Sequence, residues 1–192
     1  MNRRVHTILC VLVFVAASMV GHAQQDSALV ALINAVRANP ASFLPSLEQY
    51  KATARPIARN KKEFDKAYAE IVARLRQQTP LPPYQVDEGL MKAAWDHCTD
   101  CERHGLVGHF GSDKSDPGVR MRRYTTYTTM GESCTYGHAT PAMMLSAFLV
   151  DEGTPSRGHR ENMLSTTYTQ IGVHVCGHPR FGTSVVIDHA RQ

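Results

Sequence analysis

Beyond residue 20 the sequence has no long apolar run, and nowhere does it carry an internal repeat or a low-complexity tract. Those absences exclude a bundle of membrane-spanning helices, a solenoid and a disordered chain. Neither charge dominates. The formal net charge is +4, and without Arg3 and Arg4 it is +2, with 19 basic residues facing 17 acidic ones. That balance is too mild to draw a nucleic acid or an anionic membrane as partner. Three catalytic or structural signatures are missing as well: H-E-x-x-H, G-x-S-x-G and a second C-x-x-C. Their absence removes the usual zinc-protease helix, the hydrolase nucleophile elbow and the paired-cysteine zinc knuckle.

What the sequence does have begins with a leader pattern. Arg3 and Arg4 precede a nearly continuous apolar stretch from Ile8 to Val20, and Gly21-His22-Ala23 supplies small residues for cleavage. The stretch is shorter than the ~20 residues a spanning helix needs. Residues 1–23 therefore read as a secretory signal peptide and residues 24–192 as one domain, with no stable membrane insertion and a secreted or periplasmic location. Cys98, Cys101, Cys134 and Cys176 remain after cleavage. An even number in an exported chain implies two disulfides, with three connectivities open.

Helix and strand patterns fill the rest. Leu29, Leu32, Ile33 and Val36 mark one buried face of a helix over Ser27–Ala38, with Asp26 or Ser27 as its cap. A short helix over Ser42–Tyr50 and an irregular basic stretch over 51–60 are expected next. Lys61–Gln78 is an amphipathic helix with Phe64, Tyr68, Ile71 and Leu75 on its inner face. Another helix runs from Asp87 to His104, and Gly105 ends it. Pro117 starts a short helix, Thr125–Met130 reads as a strand, and Thr140-Pro141 opens a helix reaching Asp151. Ser156 is the expected cap of a helix carrying His159, and strands over Gln170–Cys176 and Thr183–His189 close the chain.

Four motifs occur in a telling order: Gly108-His109-Phe110-Gly111-Ser112-Asp113, Gly131-Glu132-Ser133, Arg157-Gly158-His159-Arg160-Glu161-Asn162-Met163-Leu164, and Tyr168-Thr169-Gln170-Ile171-Gly172-Val173. Together they resemble the CAP superfamily (cysteine-rich secretory proteins, antigen 5 and pathogenesis-related 1), in its bacterial SCP-like extracellular branch. The resemblance covers roughly Ser27 to Ala190. It implies an α+β fold, a three-layer α-β-α sandwich with a central antiparallel sheet. It also implies a cleft lined by two histidines and two acidic residues. His109, Glu132 and His159 match three of these; Asp151, at the end of the helix before His159, is the candidate for the fourth. The chain departs from the pattern in Ser133, where Asn is common, and in having no Trp after His159.

Each of His109, Glu132 and His159 lies beside a glycine, which reads as a loop position. Two imidazoles suit a divalent metal, with carboxylates orienting the rings. His109 and His159 are accordingly the candidate metal ligands, and Zn²⁺ is the ion such a pair would take, although two protein ligands fall short of the three that catalytic zinc usually has. The function expected is a non-enzymatic module that binds a small ligand, a lipid or a divalent metal in this cleft. A small apolar molecule or a partner protein would be the counterpart, and no nucleic acid. The alternative is a metal-assisted hydrolase acting on peptide or cell-wall bonds. His97 is expected as a packed helix residue, and His174 and His189 as surface positions of strands.

Overall fold

The computed structural model describes residues 24–192, so the expected leader over residues 1–23 lies outside the described residues. Helix α1 covers residues 24–38. A 3₁₀ turn over Pro40–Phe43 leads into α2, Leu44–Ile57, and α3 covers Lys61–Gln77. Strand β1, Gln85–Val86, precedes α4, Glu88–His104, and α5, Pro117–Arg122. Then come β2, Thr129–Tyr136, α6, Pro141–Val150, α7, Gly158–Leu164, β3, Gln170–His178, and β4, Gly182–Arg191. Among the described residues no helix is long and apolar enough to cross a membrane.

The strands form one sheet in the order β1-β3-β4-β2. β3, β4 and β2 are antiparallel; only the two-residue edge strand β1 runs parallel to its neighbour β3. Side chains alternate between the faces of a pleated strand, and the apolar residues follow that rule. Ile171, Val173, Val175, Val185 and Ile187 meet Leu29, Ile33, Leu47, Phe64, Ile71, Phe148 and Met163 of α1, α2, α3, α6 and α7. The opposite face takes α4 and α5. There Ala94 and Cys98 pack on Cys176 and Val186, and Leu90, Ala93 and Met121 pack on Ala190. The result is the three-layer α-β-α sandwich that the motifs imply. Gly172 fixes how closely α4 lies on the sheet: a Cβ there would sit 2.2 Å from the Leu90 backbone carbon.

Local chemistry explains the element ends. Asn60, Asp87, Asp116 and Thr140 each accept a backbone N–H of the first turn of the helix they precede. Gly105 closes α4 at φ 65°, a left-handed conformation that costs glycine little.

Several expectations need correction. α2 runs on to Ile57, through most of the stretch expected to be irregular, because Lys51–Arg55 contains no strong helix breaker and Pro56 falls only at its last turn; residues 58–60 are irregular as expected. Asp26 and Ser27 lie inside α1 rather than capping it. Asp26 is buried, and its carboxylate accepts the Val175 amide at 2.7 Å and contacts His174 Nδ1 at 2.9 Å, serving a strand that β1 is too short to cover. Strand β2 begins at Thr129 and runs through Gly131-Glu132-Ser133, later than expected. The cap position of α7 is Arg157, not Ser156; its guanidinium, held by Glu63 at 2.6 Å and Glu70 at 2.8 Å, fixes a left-handed backbone at φ 52°. His189 is fully buried between Tyr84 and Tyr168, and burial pulls its pKa down to about 3. Finally, one disulfide is formed rather than two. Cys98 faces Cys176 and ties α4 to β3, whereas Cys101 and Cys134 are free, buried thiols. The first pairing takes the two sulfurs that meet in the plane between helix and sheet. The other two point toward His97 and Glu132 instead.

Candidate functional site

The four expected site residues sit at one edge of the sheet, where edge strand β2 meets the loop after α4 on one side and the α6–α7 connection on the other. His109 comes from the loop and is 44% exposed; Glu132 comes from mid-strand in β2 and is buried. Asp151 ends α6 and His159 lies in the first turn of α7. The loop reading thus holds for His109 alone. Glu132 is a strand residue and His159 a helix residue, and the flanking Gly131 and Gly158 do not make those segments loops.

Each histidine is oriented by a carboxylate. His109 Nδ1 lies 2.8 Å from Glu132 Oε1, and His159 Nδ1 lies 2.8 Å from Asp151 Oδ1. The two rings face one another with centroids 6.4 Å apart and planes 40° apart. A ring that donates Nδ1–H to a carboxylate has its lone pair on Nε2, which is the tautomer a metal needs. Two imidazoles, each oriented by a carboxylate, are donors of the chemical type that a divalent ion takes.

The carboxylates are themselves held. Arg120 donates to Glu132 Oε2 at 2.6 Å, to the His109 carbonyl at 3.0 Å and to the Ser115 carbonyl at 2.7 Å, and it is almost wholly buried. Burial works against a charged Glu132, but the hydrogen bond to His109 and the Arg120 charge outweigh it and hold the pKa below its usual value. Asp151 is met by main chain. Its Oδ2 accepts the amides of His159 at 2.9 Å and Arg160 at 3.4 Å. Burial again opposes the charge, and the hydrogen bond from His159 overcomes it, so this carboxyl too stays below the usual range. Asp151 adopts a left-handed backbone at φ 52°, which turns its side chain back over the start of α7. Ser133, at the position that departs from the family pattern, accepts a hydrogen bond from Asn162 Nδ2 at 3.0 Å and so links β2 to α7.

Phe148 packs edge-on against the His159 ring, with centroids 5.8 Å apart. Beside it opens a cleft of about 350 Å³ whose aromatic wall includes Tyr50, Tyr136, His138 and Phe181.

Sequence reasoning missed Arg120 and, behind Glu132, Asp188; His97 is packed there, as expected. Arg120 belongs to the one dense basic cluster, with Arg122 and Arg123, but only Arg120 turns inward. Behind Glu132, His97 is fully buried, with Nε2 on the Gly108 carbonyl at 2.8 Å. Asp188 stands directly across from Glu132 in the β2–β4 register. Burial, and then the charge of Glu132, push the Asp188 carboxyl and the Cys134 thiol well above their usual values.

Residues 69–187 match the model of the CAP family, described as the cysteine-rich secretory protein family. The uncharacterized protein YkwD of Bacillus subtilis is 29% identical over 136 residues, which cover 70% of this chain and 51% of that protein. The chain thus spans about half the length of this curated relative. Among solved structures, an extracellular protein containing an SCP domain from Bacillus anthracis aligns with a TM-score of 0.50 at 22% identity, covering 69% of this chain and 40% of that one. An outer surface protein of Borrelia burgdorferi aligns with a TM-score of 0.51 at 21% identity, covering 69% of this chain and 94% of that one. Both are similar in fold, and both are extracellular or surface proteins by description.

Proposed function

The chain belongs to the cysteine-rich secretory protein family, and we propose that it acts outside the cytoplasm as a non-enzymatic module that binds a divalent cation between His109 and His159. The carrying observation is the paired orientation of the two rings. Both spend Nδ1 on a buried carboxylate, and this leaves two Nε2 lone pairs on facing imidazoles. Two protein ligands leave the remaining coordination positions to water or to a polar group of a small ligand. The aromatic cleft beside His159 would hold the apolar part of such a ligand. The leader pattern of residues 1–23 and the extracellular relatives support export.

The test is calorimetric titration with Zn²⁺ at about pH 7.5 and about pH 5.5, on either side of the ordinary imidazole value of about 6.5. Only neutral imidazole coordinates, so binding is expected at the higher pH and lost at the lower. His109→Ala and His159→Ala should each weaken it at least tenfold. Binding that is equal at both pH values, or untouched by either substitution, would refute this site. Metal-dependent turnover of peptide or cell-wall bonds, absent in both variants, would establish the hydrolase instead.

A further inference from the structure

A second group of donors lies next to the histidine cleft, between α4 and the sheet. His97, Glu132 and Cys134 each bring a donor atom within 4.8 Å of the other two. His97 is fully buried and away from the cleft, whereas Cys134 lies on the boundary: it lines the cleft wall, and its sulfur is 3.6 Å from Glu132 Oε1 and 3.9 Å from His109 Nδ1. We propose that His97, Cys134 and Glu132 form a buried structural site for a thiophilic divalent cation of the zinc type, separate from the ion held by His109 and His159.

Three observations carry this. The first is spacing. Ligand atoms around a tetrahedral zinc stand about 3.3–3.8 Å apart, given Zn–S of about 2.3 Å and Zn–N of about 2.0 Å. Atoms already within 4.8 Å need to close by about 1.5 Å at most.

The second is unmet polarity. His97 gives Nε2 to the Gly108 carbonyl, so its free lone pair is on Nδ1, and no group among the described residues meets that atom. A buried ring nitrogen left unpaired is costly, and a ligand would satisfy it. A histidine whose second ring nitrogen donates to a backbone carbonyl is the usual arrangement of a metal ligand.

The third is charge. The nearby fixed cation is Arg120, paired with Glu132 at 2.6 Å, so that positive charge is already matched before an ion enters. A Cys134 thiol that binds the ion gives up its proton, which passes to solvent, and no electron moves. Glu132 retains capacity for the ion, because a carboxylate offers about four lone-pair directions and His109 and Arg120 take two. Cys101, with its sulfur 3.8 Å from His97 Nε2, flanks the site on the helix side.

Cobalt(II) is the probe, added to purified metal-free protein with the Cys98–Cys176 bridge intact. The expected result is a thiolate-to-cobalt charge-transfer band in the near ultraviolet from the native sequence. It should persist in His159→Ala and disappear in Cys134→Ser and in His97→Gln, with circular dichroism confirming that each variant is folded. Because the native protein alone gives the primary reading, a variant that fails to fold leaves the test intact. Cobalt binding without a thiolate band would overturn the proposal. So would a band that survives Cys134→Ser, or a thiol count of zero in denatured, unreduced protein, since Cys101 and Cys134 would then be bridged.

Discussion

His109 and His159 each offer Nδ1 to a buried carboxylate at 2.8 Å, yet the two carboxylates are anchored by different means. Glu132 sits in the middle of a strand paired along its length with β4, where the backbone amides are engaged in the ladder or face away from it. Its charge must be met by a side chain, and Arg120 comes from α5 to meet it. Asp151 sits between the end of one helix and the start of the next. The first amides of a helix have no partner within it, and the carboxylate takes two of them. The same chemical task is solved with a buried ion pair in one half of the cleft and with main chain in the other. Where an acidic residue falls in the secondary structure decides which solution is open to it.

Breaking the ion pair should have the largest effect. Arg120→Met leaves Glu132 charged and buried without its arginine partner. Removing one partner of a buried pair typically costs about 3–5 kcal/mol. At about 2–4 °C per kcal/mol for a domain of this size, the melting temperature should fall by roughly 6–20 °C. The double variant Arg120→Met/Glu132→Gln should recover much of that, because no unpaired charge remains. If the single variant melts within a degree or two of the native protein, the half of the comparison that rests on side-chain charge is wrong.

The main-chain half should respond less. Asp151→Ala removes a helix-start acceptor and puts a non-glycine residue without a polar side chain into the left-handed region. Loss of a capping oxygen costs about 1 kcal/mol and the conformation about another 1 kcal/mol. Asp151→Asn should cost about half as much, since Asn tolerates that conformation and keeps an acceptor. Thermal melts of the pair provide the check. Equal losses would mean that the charge matters on this side as well and the backbone does not carry it.

The cleft is readable from sequence because its parts are short motifs with fixed local chemistry. His109, Glu132 and His159 can be named from them, and Asp151 from its place at a helix end. Their secondary-structure settings are not readable. Glycine beside Glu132 looks like a loop signal, but Gly131 lies in a strand, where Tyr168 packs against the space a Cβ would fill. The second layer is hidden for a different reason. Arg120 and Asp188 are charged residues that composition assigns to the surface, and only tertiary packing turns them inward; His97, expected as a packed helix residue, is buried. Asp26 shows the same limit: its partners on β3 are 148 and 149 residues away, so a helix cap is the nearest local use for it.

The smallest expected effect is a difference in acid sensitivity between the two halves. Both carboxyls are held below their usual values in the folded protein. In the unfolded chain they return to about 4.3 for Glu and about 3.9 for Asp. Between the folded and unfolded values the unfolded state binds more protons, so stability rises with pH there and is lost as pH falls. The contribution of each is complete above its unfolded value. The Glu132 loss should therefore begin near pH 4.3 and the Asp151 loss slightly lower, with both continuing toward the depressed folded values. Urea midpoints measured at steps from about pH 6 to about pH 3 would show this as a steepening slope. Glu132→Gln should flatten the upper part of that slope, and Asp151→Asn the lower part. The native-to-variant gap should shrink at the acid end in each case, because a protonated carboxyl is then compared with an amide. A gap that stays constant across the range would mean that the variant lost packing rather than a charge interaction, and the distinction between the two supports would have to be drawn from the Arg120→Met result alone.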